Sequence, residues 1–156
     1  MKVLADARTF QYSQGFRQWE EWYPDIPTIE ADIRSGNARV FVEDNDILGY
    51  CMLAVGDSSY DTLGDIWRHH GPYGVIHRLA LSSQSRGRKL TTLIFPMIEE
   101  EYLRAGISIL RVDTGEENRI MQHILLRQGY HPLGLHHFSW GPRLTYEKLL
   151  PSPDKK

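Results

Sequence analysis

Between Leu81 and Leu90 the chain reads Ser82-Ser83-Gln84-Ser85-Arg86-Gly87-Arg88-Lys89, which puts three cations where an apolar, helix-spaced pattern begins. A helix N-terminus carries unpaired N–H groups and a partial positive charge, so cations gathered there are mildly unfavourable unless an anion sits among them. A bound phosphate is such an anion. The alternative is a solvated basic loop whose side chains point away. No Gly-x-x-x-x-Gly-Lys-Ser/Thr stretch occurs, and no Gly-x-Gly-x-x-Gly follows a strand, which removes nucleoside triphosphatases and dinucleotide enzymes from consideration.

Other chemistry-bearing residues are less organised. His69-His70 and His136-His137 suggest metal pairs, but adjacent residues on a strand point to opposite faces and no Cys or i, i+4 His completes a set, so no metal is expected. Trp19, Trp22, Tyr23 and Trp67 read as packing or a lid rather than a cofactor box. Glu20, Glu21, Asp57, Asp61 and Asp65 read as solvated surface, with the option that one or two of them bind a cationic amine.

These residues need positioning elements. A short amphipathic helix is expected from Val3 to about Gln14, broken near Gly15. A second runs from Pro27 to Ser35, capped by Asp25 or Thr28 and stopped by Gly36, with Ile29 and Ile33 facing a core. Ala38 to Glu43 and Ile47 to Val55 form a hairpin about Asp44-Asn45-Asp46. Gly56 to Gly71 reads as a long excursion over the surface with a turn near Asp65-Ile66-Trp67. Then follow a strand from Gly74 to Leu81, a helix from about Leu90 to Arg104 in which Pro96 predicts a kink, a strand from Ser108 to Val112, and a helix from Glu117 to Gln128 stopped by Gly129. Strand, helix, strand, helix implies a crossover joining parallel strands. Strands from Tyr130 to Phe138 and Arg143 to Leu149 close an α/β layer.

The size, 156 residues, suits one domain over residues 1–150 with a polar tail from Pro151 to Lys156. Basic and acidic residues, 18 and 20 of them, are mixed along the chain, so no stripe suited to a nucleic-acid backbone stands out. Cys51, the lone cysteine, lies in the apolar run from Tyr50 to Val55 and reads as a buried thiol in a reducing cytoplasm. With no export segment and no apolar run of about 18 residues, neither secretion nor membrane insertion is expected.

The strand ending Leu79-Ala80-Leu81, the basic turn and helix, Arg111-Val112-Asp113-Thr114, and Asn118 with a helix ending Arg127-Gln128-Gly129-Tyr130 together resemble the GNAT superfamily of acyl-CoA-dependent N-acetyltransferases, over about residues 19–148. The resemblance implies a mixed, mostly antiparallel central sheet with a parallel strand pair and flanking helices. The family opens with a strand and a helix, for which 18 residues before Trp19 leave little room. A missing first strand would leave a sheet edge for a second subunit, and so a homodimer. The resemblance further implies acetyl-CoA as cosubstrate and a primary amine of a small molecule or peptide as acceptor. Backbone groups at Leu79, Ala80 and Leu81 would serve the pantetheine arm and thioester. The loop Arg86, Gly87, Arg88, Lys89, Leu90, Thr91 would wrap the pyrophosphate. The family pattern is Arg or Gln, two residues, Gly, one residue, Gly or Ala. Aligned on Arg86 its small positions fall on Lys89 and Thr91; aligned on Gln84 they fall on Gly87 and Lys89.

Acyl transfer needs a neutral amine, a donor to the developing oxyanion and a proton for the departing thiolate. Backbone N–H groups on the strand before the basic loop would supply the oxyanion donor. His77 lies two and four residues before Leu79 and Leu81, on the same face of a regular strand, and histidine suits a general base; the other reading is a packed, structural histidine. Many family members carry a tyrosine seven residues after the asparagine matching Asn118, where this chain has Leu125. Tyr130, Tyr73 and His123 are the available substitutes. Asn118 would hydrogen-bond the cofactor arm or cap its helix. An enzyme acetylating an amine by direct attack is the leading expectation. An acyl-CoA-binding module without turnover is the alternative, motivated by Leu125 and the altered loop.

Overall fold

The computed structural model describes residues 1–151, so the expected tail is represented by Pro151 alone and residues 152–156 lie outside the described residues. The elements run α1 (Lys2–Ser13), α2 (Ile26–Arg34), β1 (Ala38–Glu43), β2 (Asp46–Val55), α3 (Ser58–Asp61), β3 (Tyr73–Leu81), α4 (Thr91–Arg104), β4 (Ile109–Thr114), α5 (Arg119–Arg127), β5 (His131–Phe138) and β6 (Gly141–Leu149). Six strands form one sheet in the order β1-β2-β3-β4-β6-β5. The β3/β4 pair is parallel, while β1/β2, β4/β6 and β5/β6 are antiparallel. This is the expected mixed sheet, with β1 as the first strand of the chain and an edge of the sheet.

The described residues divide into two compact units, Met1–Leu53 with Ile76–Leu90, and Ala54–Val75 with the described residues from Thr91 onward. In the first, Val3, Leu4, Trp19, Tyr50 and Ala80 form the core, joined by half-buried Ala7, Tyr23, Ile29 and Ala38. The Asp25 carboxylate caps α2 by accepting from the Thr28 N–H at 3.0 Å, a contact of a kind that contributes about 1 kcal/mol. Gly36 ends that helix region with φ +76°, as its position implies. Ile33, expected in the core, is 62% exposed; the residue facing inward is Asp32, at 5%. Its charge is tolerated because it is paired there. Cys51 is fully buried.

In the second unit Tyr60, Trp67, Tyr73, Val75 and Ile109 form a core cluster. The stretch 56–71 is therefore no simple surface excursion: it folds as α3 and a 3₁₀ turn at Gly64–Ile66, and contributes Tyr60 and Trp67 to the interior. Trp67 Nε1 donates to the Tyr60 carbonyl at 2.8 Å, so the segment is also stitched to itself. α4 runs as one helix through Pro96, on its exposed side. The Tyr102 hydroxyl lies 2.8 Å from the Ala54 carbonyl and 2.9 Å from the Val75 carbonyl, with the ring laid on Gly74, where a Cβ would collide with it.

Candidate active site

β3 is irregular where the chemistry was expected. Arg78 has φ +53°, a left-handed conformation that costs a non-glycine residue about 1–2 kcal/mol. Past it, Ala80 is buried in the first unit's core, and Leu79 and Leu81 are half-buried. The regular two-residue alternation that put His77 on the face of Leu79 and Leu81 does not carry across a left-handed residue, so that argument for His77 fails. His77 itself is half-buried.

The Arg78 side chain is held firmly. Its Nε donates to Asp32 Oδ2 at 3.0 Å, its Nη2 to Asp32 Oδ1, and its Nη1 to the Tyr23 hydroxyl at 2.9 Å. The Tyr50 hydroxyl donates to Asp32 Oδ2 at 2.6 Å. The ion-paired side chains are only 13% and 6% exposed. Burial pulls the guanidinium pKa down, but the hydrogen bonds to Asp32 and Tyr23 outweigh it and raise it on balance, so the guanidinium keeps its charge.

The loop after β3 is anchored by serines. The Ser82 N–H and the Ser85 hydroxyl both donate to the Leu48 carbonyl, at 2.8 and 2.9 Å, and the two hydroxyls are 2.6 Å apart. From α1, Asp6 accepts the Ser83 N–H and hydroxyl, each at 3.2 Å. Gly87 and Lys89 then adopt φ +77° and +55° before α4 opens at Thr91. These are the two small positions of the Gln84 alignment, whereas the Arg86 alignment would put one on a helical residue. The backbone therefore favours the Gln84 register, with Lys89 in a conformation that glycine adopts without strain.

The cations are partly engaged. Arg86 lies 4.2 Å over the Phe10 ring and donates to the Asp6 carbonyl at 2.8 Å. Arg88 Nη2 contacts both Glu43 carboxylate oxygens, at 2.9 and 2.7 Å, and this hydrogen bond holds the Glu43 pKa below its usual range. Lys89 is exposed. An anion among the cations is thus supplied by the chain itself at Arg88.

In the second unit Asn118 caps α5, its Oδ1 accepting the Met121 N–H at 3.1 Å. Leu125 is fully buried. Tyr130 is 2% exposed, its hydroxyl has no hydrogen-bond partner among the described residues, and burial pushes its pKa well up. Tyr73 is also buried; its hydroxyl donates to Asp61, and burial together with that bond pushes its pKa up to about 12. Of the three substitutes for the family tyrosine, only His123 is exposed.

Polar networks without a local sequence pattern include Asp32–Arg78. Another joins Arg111 on β4 to Glu147 on β6 at 3.0 Å, with Glu147 Oε1 also contacting the Arg68 and His69 N–H groups and His69 Nδ1 at 3.0, 3.2 and 2.9 Å. His69 is thereby tied to a carboxylate, and His136 Nε2 lies 3.0 Å from the Leu133 carbonyl. Trp19 and Trp67 pack inside as expected, whereas Trp22 is 67% exposed. Among the described residues no helix is long and apolar enough to cross a membrane, and no group of three or more His, Cys, Asp or Glu could hold a metal ion.

None of the curated proteins matches this sequence. The sequence pattern of the Acetyltransferase (GNAT) family, however, matches residues 4–130. Among solved structures, a GNAT-family acetyltransferase from Streptococcus agalactiae is 33% identical, with a TM-score of 0.85 over 96% of this chain and 87% of that one. A putative acetyltransferase from Staphylococcus aureus is 22% identical, with TM-score 0.69 over 96% of this chain and 89% of that one. The ribosomal-protein-alanine N-acetyltransferase from Brucella melitensis is 17% identical, with TM-score 0.65 over 95% and 92%. These two more distant likenesses speak to the fold alone. With most of its length matched by the family pattern and a close structural relative over nearly the whole chain, the protein belongs to the acetyltransferase (GNAT) family.

Proposed function

We propose that the chain moves an acetyl or other short acyl group from coenzyme A to a primary amine of a small molecule or peptide, by direct attack of the amine on the thioester. The observation that carries the reading is the run of left-handed backbone from β3 into α4, at Arg78, Gly87 and Lys89. Left-handed residues turn backbone N–H groups out of a ladder or helix and build concavities for anions. Leu79, Ala80 and Leu81 offer backbone to the pantetheine arm and thioester. The 86–91 loop, led by Gly87 and Lys89, takes the pyrophosphate, and exposed Lys89 adds charge to it. Coenzyme A supplies the activated acyl group when bound. The protein's part is to orient the thioester, polarise its carbonyl with a backbone N–H and accept the amine proton, for which half-buried His77 is the proposed base.

A second reading, an acyl-CoA-binding module without turnover, is favoured by one fact: Leu125 stands fully buried at the family's tyrosine position, and Tyr130 and Tyr73 are buried too. A thiol that ionises near pH 8.5 departs with little help, so turnover does not require the tyrosine.

Calorimetric titration with acetyl-CoA, with desulfo-CoA and ATP as controls, followed by thiol release over an amine panel, tests both. Saturable binding with thiol release is the expected result. Binding without release on a broad panel supports the second reading, and no binding at millimolar cofactor overturns both.

A further inference from the structure

Arg78 presents a puzzle of economy. Glycine adopts φ +53° freely, yet the middle of β3 carries an arginine in that conformation, with its guanidinium buried and paired. Its partners come from three other segments: Asp32 from α2, the Tyr23 hydroxyl from the segment before α2, and, through Asp32, Tyr50 from β2. A buried two-pronged ion pair cannot be released on one side without leaving a charge unpaired, so the position of the guanidinium is fixed, and with it the direction in which the Arg78 side chain leaves the strand. Two residues on, Ala80 is locked into the first unit's core. With both points pinned, the peptide groups between them have little freedom. We propose that Arg78, clamped by Asp32, is a positioning residue for acyl transfer: the ion pair holds the β3 kink and so aims the backbone groups around Leu79 at the thioester. This rests on the acyl-transfer reading above and adds to it a side-chain device outside the reacting groups.

The test compares two variants that both lack the ion pair and leave no buried charge behind, Asp32→Asn/Arg78→Ala and Asp32→Asn/Arg78→Gly. Alanine without the clamp relaxes toward ordinary strand geometry, whereas glycine keeps the kink accessible. The alanine variant is expected to lose about 10²-fold in kcat, the loss typical of one misplaced oxyanion donor, and the glycine variant to recover at least about tenfold of it. Amide ¹H–¹⁵N shifts of residues 76–80 in the cofactor-free protein should move further from wild type in the alanine variant than in the glycine one. Equal kcat and equal shifts in the two folded variants would overturn the proposal, leaving the pair a stabilising contact only. Should both doubles fail to fold, Tyr23→Phe removes one hydroxyl from the clamp; a fall of about threefold in kcat at constant acetyl-CoA KM supports the proposal, and an unchanged kcat overturns it. A wild-type protein that neither binds acetyl-CoA nor releases thiol would instead sink the acyl-transfer reading, with the amide shifts still deciding whether the pair sets the kink.

Discussion

Arg111 and Glu147 are direct partners in the β4/β6 register, and their side chains meet across it at 3.0 Å with only 5% and 1% of their area exposed. The guanidinium also lies over two rings, 4.3 Å from the centroid of Trp67 and 4.0 Å from that of Tyr73. Because Glu147 also receives the N–H groups of Arg68 and His69, this pair ties the 56–71 segment to the sheet.

Removing the carboxylate strands a buried cation. Glu147→Ala should cost about 3–5 kcal/mol in denaturant unfolding, the range for breaking a buried pair from one side. Glu147→Gln keeps an acceptor for the N–H groups and should cost less. Equal, small losses would show that water reaches Arg111.

Left-handed backbone at position 89 makes an opposite-signed prediction. Lys89→Gly relieves a strain of about 1–2 kcal/mol at some cost in chain entropy, and should leave stability unchanged or raise it by up to about 1 kcal/mol. Gly87→Ala, at φ +77° with open space around the site, should destabilise by about 1 kcal/mol through conformation alone. Thermal melts of the two variants check both signs.

The charge of the loop can be separated from its backbone. Replacing Arg86, Arg88 and Lys89 together by Ala should weaken acetyl-CoA binding by about tenfold or more, as loss of one or two charge-assisted hydrogen bonds does. Calorimetry at two salt concentrations reads it. Unchanged affinity would assign phosphate recognition to the backbone alone.

His77→Gln should lower kcat about 10²-fold at constant acetyl-CoA KM if the imidazole takes the amine proton. A variant that loses stability but keeps kcat would return His77 to a packing role.

High pH should unfold the protein through its phenols. Burial raises the pKa of Tyr50, Tyr60, Tyr73 and Tyr130, with Tyr73 reaching about 12. An unfolded tyrosine ionises near pH 10, so above that pH the unfolded chain holds fewer protons and stability falls as pH rises. The contribution is fully present below about pH 10. Denaturant midpoints from pH 9 to 12, followed with phenolate absorbance, should show ionisation arriving together with unfolding.

Elements with a local cause were legible in the sequence. The Asp44-Asn45-Asp46 turn, the Asp25 cap and the glycine stops are written in adjacent residues, the parallel crossover follows from the strand and helix order, and the mixed sheet is what the family resemblance implies. What could not be read depends on distant partners. Asp32 is inside and Ile33 outside because Arg78, 46 positions away, meets the aspartate. Tyr60 and Trp67 are core because Asp113 accepts the Tyr60 hydroxyl and the tyrosine's own carbonyl accepts the indole N–H. A regular strand puts His77 on the face of Leu79 and Leu81, and the positive φ at Arg78 breaks that alternation. The basic loop is legible as a loop from its composition, whereas the left-handed backbone at Gly87 and Lys89 is not.

Gly74 and Tyr102 have a bearing on how this sequence can drift. The ring occupies the space a side chain at 74 would need, and its hydroxyl meets two carbonyls that no smaller residue could reach. Each position therefore constrains the other: any enlargement at 74 is blocked until 102 shrinks, and shrinking 102 first forfeits both hydrogen bonds. In a saturation library the two sites should covary, with larger residues at 74 surviving only in clones that have already given up the tyrosine.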